Sequence, residues 1–319
     1  MEKNNSRYIL LLIILIINTI YSYLFLRNTE TIIISFVLFI PVAIYGLKYK
    51  IDGSLIFCML AVCIANYILY GIEHFISYSM VVILPALIIS YLVREKMPFT
   101  KLISLSSILL FASFLGTIIL LKTICDVDVL TTYFNGIDII EKEFTNIYST
   151  YFNNNTNSIK EYSIAIGTLK NTFYYMKYYY PALLYLLCLG ISFISILCIS
   201  FIANKMKINN FGYENILGLK VSRSIIGFLM IVIIAKALYL NGKSNLMVAI
   251  DNILVIIVVL LFFLGILFEM SIIKRVRNAG RRILLILVSV FCLIFFQAYF
   301  VVAGFIDSIF QIRVKLNNA

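Results

Sequence analysis

Nine long apolar runs, separated by short polar segments, leave this chain few ways to fold. They are Tyr8–Leu26, Thr31–Leu47, Gly53–Tyr70, Ile76–Val93, Leu102–Leu121, Tyr179–Ile202, Ser224–Leu240, Met247–Phe268 and Ile283–Phe310. Each has about 17–28 residues, enough for an α-helix to cross a hydrocarbon core of ~30 Å. In lipid the backbone must satisfy its own hydrogen bonds, which an apolar run does as a helix. Composition agrees: 62% of the 319 residues are hydrophobic and 13% charged, against roughly 25% charged in a soluble domain. The fold expected is all-α, a polytopic transmembrane bundle of eight or nine helices with an external amphipathic helical insertion. Pro41 and Pro85 fall inside the second and fourth runs, where a missing N–H bends a helix. The long last run has room for a break near Ala303-Gly304.

Lys and Arg number 26 against 15 acids, a formal charge of +11. The cations sit between apolar runs and form no separate basic domain, so a nucleic-acid partner is not expected. With the N-terminus inside, the inner segments hold Lys3, Arg7, Lys48, Lys50, Arg94, Lys96, Lys101, Lys205, Lys207, Lys220, Arg223, Lys274, Arg275, Arg277, Arg281 and Arg282. The short outer segments hold Arg27, Lys243, Arg313 and Lys315. That asymmetry places the N-terminus in the cytoplasm of a bacterial plasma membrane. Tyr8–Leu26 is too long for a signal-peptide core and reads as a retained first helix. An odd helix count puts the C-terminus outside.

Residues 122–178 interrupt the rhythm and divide the chain into 1–121, 122–178 and 179–319. The middle segment carries Asp126, Asp128, Asp138, Glu141, Glu143 and Glu161. Apolar residues recur at helical spacing through Ile137, Ile140, Phe144, Ile147 and Tyr151, and again through Ile159, Tyr162, Ile166, Leu169 and Phe173. Asn153–Asn157 reads as the turn between two amphipathic helices, which could lie on the membrane face, cap the bundle or cover a site. The run Tyr174–Tyr180 suits an interfacial anchoring belt.

Ionisable groups within spanning helices cost about 2.5–3.5 kcal/mol each on insertion scales and so call for a partner or a role. Lys236 and Asp251 flank one short external loop at similar depth and can pair. Glu73 and His74 sit at the outer end of the third helix, and Asp307 near the outer end of the ninth. Together these five could line an outward-facing solute cavity, or Lys236 and Asp251 could serve as a structural pair with the lysine snorkelling. Asn18, Asn66 and Gln297 are read as interhelical hydrogen-bonding groups. Ala61 with Ala65, and Ala112 with Gly116, put small residues on one helix face and predict close packing there. The six cysteines include no C-x-x-C pair and there is one histidine, so no metal and no cofactor is expected. No nucleotide, metalloprotease or serine-hydrolase motif occurs, and no enzyme is expected. The basic segment 274–282 could bind anionic lipid heads, bind a partner, or act only as an orientation signal.

The C-terminal stretch Val302–Arg313, with Gly304, Asp307, Phe310 and Arg313, resembles the ending of the YybS-like family of predicted bacterial membrane proteins. The segment Ala203–Glu214 resembles the basic linker that follows the insertion in that family. The family's function is unknown, and its helical core has been likened to the S-components of energy-coupling-factor transporters. The resemblance implies a protein that takes a small solute from outside and relies on a separate ATPase and coupling subunit. The reading is therefore a small-solute binding or transport component, with membrane lipids around it and a membrane protein as partner. The alternative is a non-transporting scaffold or partner in envelope assembly or division.

Overall fold

The structure is a computed structural model that describes residues 2–27, 36–95, 97–153, 159–208, 223–238, 245–313 and 315. Among the described residues the regular structure is entirely helical. In chain order the helices are α1 (Glu2–Arg27), α2 (Phe36–Tyr49), α3 (Gly53–Tyr70), α4 (Ile72–Arg94), α5 (Phe99–Cys125) and α6 (Val129–Asn153). They continue as α7 (Ile159–Tyr178), α8 (Tyr180–Lys205), α9 (Arg223–Leu238), α10 (Asn245–Arg275), α11 (Ala279–Phe295) and α12 (Gln297–Phe310). Each of the nine apolar runs carries helix. Six of these helices are long and apolar enough to cross a membrane, and α11 with α12 makes a seventh if the bent pair is one span. The described parts of α2 and α9, 14 and 16 residues, are shorter than that.

Local chemistry sets the boundaries. Asp52 caps α3 by accepting the Leu55 amide at 3.1 Å. Gly71 then turns the chain at φ 84°, a conformation side chains resist, and α4 begins at once. Glu73 and His74 therefore lie in the first turn of α4, not at the end of the third helix as expected from sequence. Within α4, Ser79–Ile83 forms one widened π-turn immediately before Pro85, closed by the Leu84 amide on the Ser79 carbonyl. That turn accommodates a proline ring that would otherwise meet a carbonyl of the preceding turn. Pro41 is carried within α2 without ending it. Asp128 starts α6, accepting the Thr131 amide at 3.0 Å and the Lys122 ammonium at 2.9 Å. Those bonds, the backbone amide first, hold its carboxyl down to about 2. This group's contribution to the α6 start is thus complete above its ordinary value of 3.8 and fades only as pH falls through about 2.

Packing divides the helices into two cores. The larger joins α1–α5 with α8 and Leu267 of α10, and the smaller joins Leu229 of α9, Ile257, Leu261 and Leu264 of α10, and Val301 and Phe305 of α12. Segment 179–319 thus contributes to both. Phe193 of α8 meets Phe263 of α10 edge-on at 5.2 Å and links them. The helix directions alternate: Arg7 reaches Asp52 while Ser22 reaches Asn66, so α1 and α3 run parallel, and Tyr78 of α4 returns to Asn18. Arg7, Lys48 and Lys50 consequently share one end of the bundle, and His74 marks the other.

Two sequence expectations about packing change. Ala65 and Ala112 are exposed, and the buried face of α3 is built from Leu55, Cys58, Met59, Val62, Cys63 and Asn66. Gly116 does pack closely, against Met80 of α4, but the backbone-on-backbone contact is at Gly265 and Gly304, where α10 and α12 cross. The last run is also broken at Phe296, not near Ala303-Gly304: α11 and α12 meet at a bend of 111°.

Candidate functional site

Asp251 stands in the second turn of α10, where the chain brings three elements together. Its Oδ1 lies 2.7 Å from Lys236 Nζ at the end of α9, and its Oδ2 accepts the Tyr178 hydroxyl at 2.8 Å. The expected pair therefore forms, and sequence reasoning missed its third member. Tyr178 is the last residue of α7, so the 122–178 insertion is bonded directly to this pair. Asn252 reinforces the junction, accepting the Ala182 amide at 2.9 Å and donating to the Tyr178 carbonyl at 3.1 Å. It thereby satisfies an orphan amide at the start of α8. The insertion is held together by the ion pair Lys177–Asp138 and by Phe144 against Phe173. In the tyrosine run, Tyr174 and Tyr175 are exposed as an anchoring belt requires, while Tyr180 packs on Tyr133.

Burial, then the bond to Asp251, pushes the Tyr178 phenol up to about 12. A raised phenol favours the folded state below its ordinary value of 10.0, and that contribution is lost as pH rises through about 12. An alkaline titration should therefore lose one of its late-titrating phenols in Tyr178→Phe. Lys236→Ala leaves the largely buried Asp251 with one partner, and the expected cost is about 1–3 kcal/mol. Thermal unfolding in detergent measures it; an unchanged midpoint would mean the pair contributes nothing to stability.

The other sequence-named residues lie toward the same end of the bundle, since Phe111 of α5 meets Tyr185 of α8 and α12 runs antiparallel to α10. They occupy separate places there. Glu73 is exposed in the first turn of α4, where a carboxylate suits the helix dipole. His74 is buried beside Ser22 and stacks on Tyr78, while Asn18 and Asn66 bond across to Tyr78 and Ser22. The interhelical role expected of both asparagines holds; Gln297 is exposed at the start of α12. Asp307 and Arg313 are each 4% exposed and paired at 2.6 Å, with the Arg313 amide also donating to Asp307 at 3.0 Å. Among the described residues no group of three His, Cys, Asp or Glu side chains could hold a metal ion.

A cavity of about 480 Å³ lies at the opposite end, in the wedge opened by the Phe296 bend. Ile266, Met270 and Ile273 of α10 form one wall, and Ile286, Val290 and Leu293 of α11 the other. Phe300 of α12 also lines it. Ser289, Lys274 and Glu269 are its polar lining groups, and Glu269 accepts the Tyr299 hydroxyl. None of the residues of α11 is buried, so this helix stands off the bundle and the wedge stays open. No sequence signal predicted the cavity, because the bend falls at Phe296 without proline or glycine.

A family model described as "Predicted membrane protein (DUF2232)" matches residues 9–308. It spans the apolar runs and includes Gly304 and Asp307, while Arg313 lies just beyond it. No curated protein and no solved structure matches the chain. The likeness to S-components rests on the sequence resemblance alone. With nearly its whole length matched, the chain belongs to this family of predicted membrane proteins.

Proposed function

We propose that this protein binds a small amphiphilic solute inside a bacterial plasma membrane, as a component that lacks its own ATPase. The α10–α11–α12 cavity carries this reading. Its volume of about 480 Å³ suits a small molecule, which pockets of roughly 300–1,000 Å³ accommodate. Its almost wholly apolar walls select an apolar body. Lys236, Asp251 and Asp307, the solute contacts expected from sequence, are engaged with protein partners and act as ties between elements. The cations Arg7, Lys48, Lys50, Lys274 and Arg275 gather at the cavity's end of the bundle, which supports a cytoplasmic N-terminus on that side. Any transport then draws its energy from a separate membrane partner.

Val290→Trp, which fills the wedge, tests the reading. Native mass spectrometry of the full chain should show a retained small molecule or lipid in the parent and loss of at least nine-tenths of it in the variant. Equal occupancy in both would sink the proposal. Because α11 packs so lightly, the melting temperature should barely move. The exposed Ile139, Ile140, Phe144 and Ile147 on α6 favour the second reading, a scaffold that docks another membrane protein through the insertion.

A further inference from the structure

We propose that the cavity's occupant is an anionic membrane lipid, with one chain in the wedge and its phosphate at the α10–α11 turn. The inference rests on the cavity reading above and adds the chemical class. Five cations fall within the nine residues from 274 to 282: Lys274, Arg275, Arg277, Arg281 and Arg282. No acid stands among them. All five are exposed, and Lys274 is itself part of the cavity wall. The turn is short, so the last turn of α10 and the first turn of α11 bring their cations to the same end of the wedge.

The wedge and the turn thus form one continuous site with two chemistries. Ile286 follows Arg281 by five residues, about 7–8 Å along the helix axis. That offset leads from charged groups at the headgroup level directly to the apolar walls. Glu269 lies five residues deeper than Lys274 and has its own partner in Tyr299, which leaves the entrance uniformly positive. The N-terminus of α11 adds a positive dipole end at the same place. A soluble anion would use the cations and leave the apolar walls empty, and a zwitterionic lipid would use the walls without the charge. An anionic lipid uses both. A topology signal requires cations in this loop, but it requires neither a wedge beside them nor a lysine in its wall.

Full-length protein reconstituted in nanodiscs of equal phosphatidylglycerol and phosphatidylcholine, then exchanged into detergent, provides the test. The retained lipid should be phosphatidylglycerol in preference, by on the order of tenfold. Raising the salt concentration during exchange should erode that preference in the unaltered protein, a check that depends on no variant. Lys274→Gln/Arg281→Gln/Arg282→Gln keeps Arg275 and Arg277 for orientation and should retain lipid without headgroup preference. If this variant or high salt leaves the preference intact, the headgroup assignment is overturned while the cavity reading stands. If Val290→Trp still retains lipid, the cavity reading itself fails. Saturable binding of inorganic phosphate that leaves lipid retention unchanged would assign the cations to a soluble anion and overturn the proposal.

Discussion

Gly304→Ala is expected to unseat α12 from α10 and to lower stability by about 1–3 kcal/mol or more. A Cβ at this position would fall 2.8 Å from the Gly265 amide nitrogen and 2.9 Å from the Leu261 carbonyl carbon. At Gly265 it would fall 2.6 Å from the Phe300 carbonyl carbon. These neighbours are backbone atoms of packed helices, so no rotamer change relieves the overlap. Alanine normally gains about 1 kcal/mol over glycine inside a helix. Overlap with backbone outweighs that gain, and the sign is a loss. Gly190→Ala is the control: nothing lies within 4 Å of a Cβ there, and the variant should be neutral or slightly stabilised. Because the two crossing glycines touch the same contact, Gly265→Ala/Gly304→Ala should cost less than the sum of the single changes. Equal unfolding midpoints in detergent for Gly304→Ala and Gly190→Ala would show that the crossing is not closely packed.

Arg313→Ala should cost about 3–5 kcal/mol, because it strands a buried carboxylate. Asp307 and Arg313 are both almost fully enclosed, and the chain is bent to bring them together. Gln311 adopts a left-handed conformation at φ 51°, ends α12, and returns its amide to the Asp307 carbonyl at 2.8 Å. Arg313 then donates both its amide and its Nε to the same carboxylate. Lysine supplies a point charge without this planar geometry, so Arg313→Lys should recover only part of the loss. Asp307→Leu/Arg313→Met removes both charges, and its stability should return close to that of the parent. A double variant as unstable as Arg313→Ala would mean that the residues act through contacts other than each other. Thermal unfolding of the four proteins decides the matter.

The site was legible in parts, and the reasons differ by residue. Lys236 and Asp251 could be paired from sequence because one short loop fixes both at similar depth. Tyr178, their third partner, is 73 positions from Asp251, and nothing in a tyrosine run distinguishes the anchoring rings from the bonded one. Gly304 stood out through the family ending, but Gly265 did not. A glycine in an apolar run looks the same whether it meets another backbone, as here, or open space, as Gly190 and Gly227 do. Ala61, Ala65, Ala112 and Gly116 had the expected spacing, yet spacing defines a helix face without saying what it touches.

Hydropathy along the chain determined that this is a helical membrane protein, roughly where its helices lie, and which loops carry the cations. Those properties depend on transfer from water to lipid and on hydrogen bonds within a helix, both of which are local in sequence. Tertiary structure alone decided the 111° bend at Phe296, the glycine crossing of α10 and α12, and the cavity beside them. Inside a membrane all the apolar faces are equivalent toward lipid. Which of them meet is settled by shape and by a few polar contacts between residues far apart in the chain.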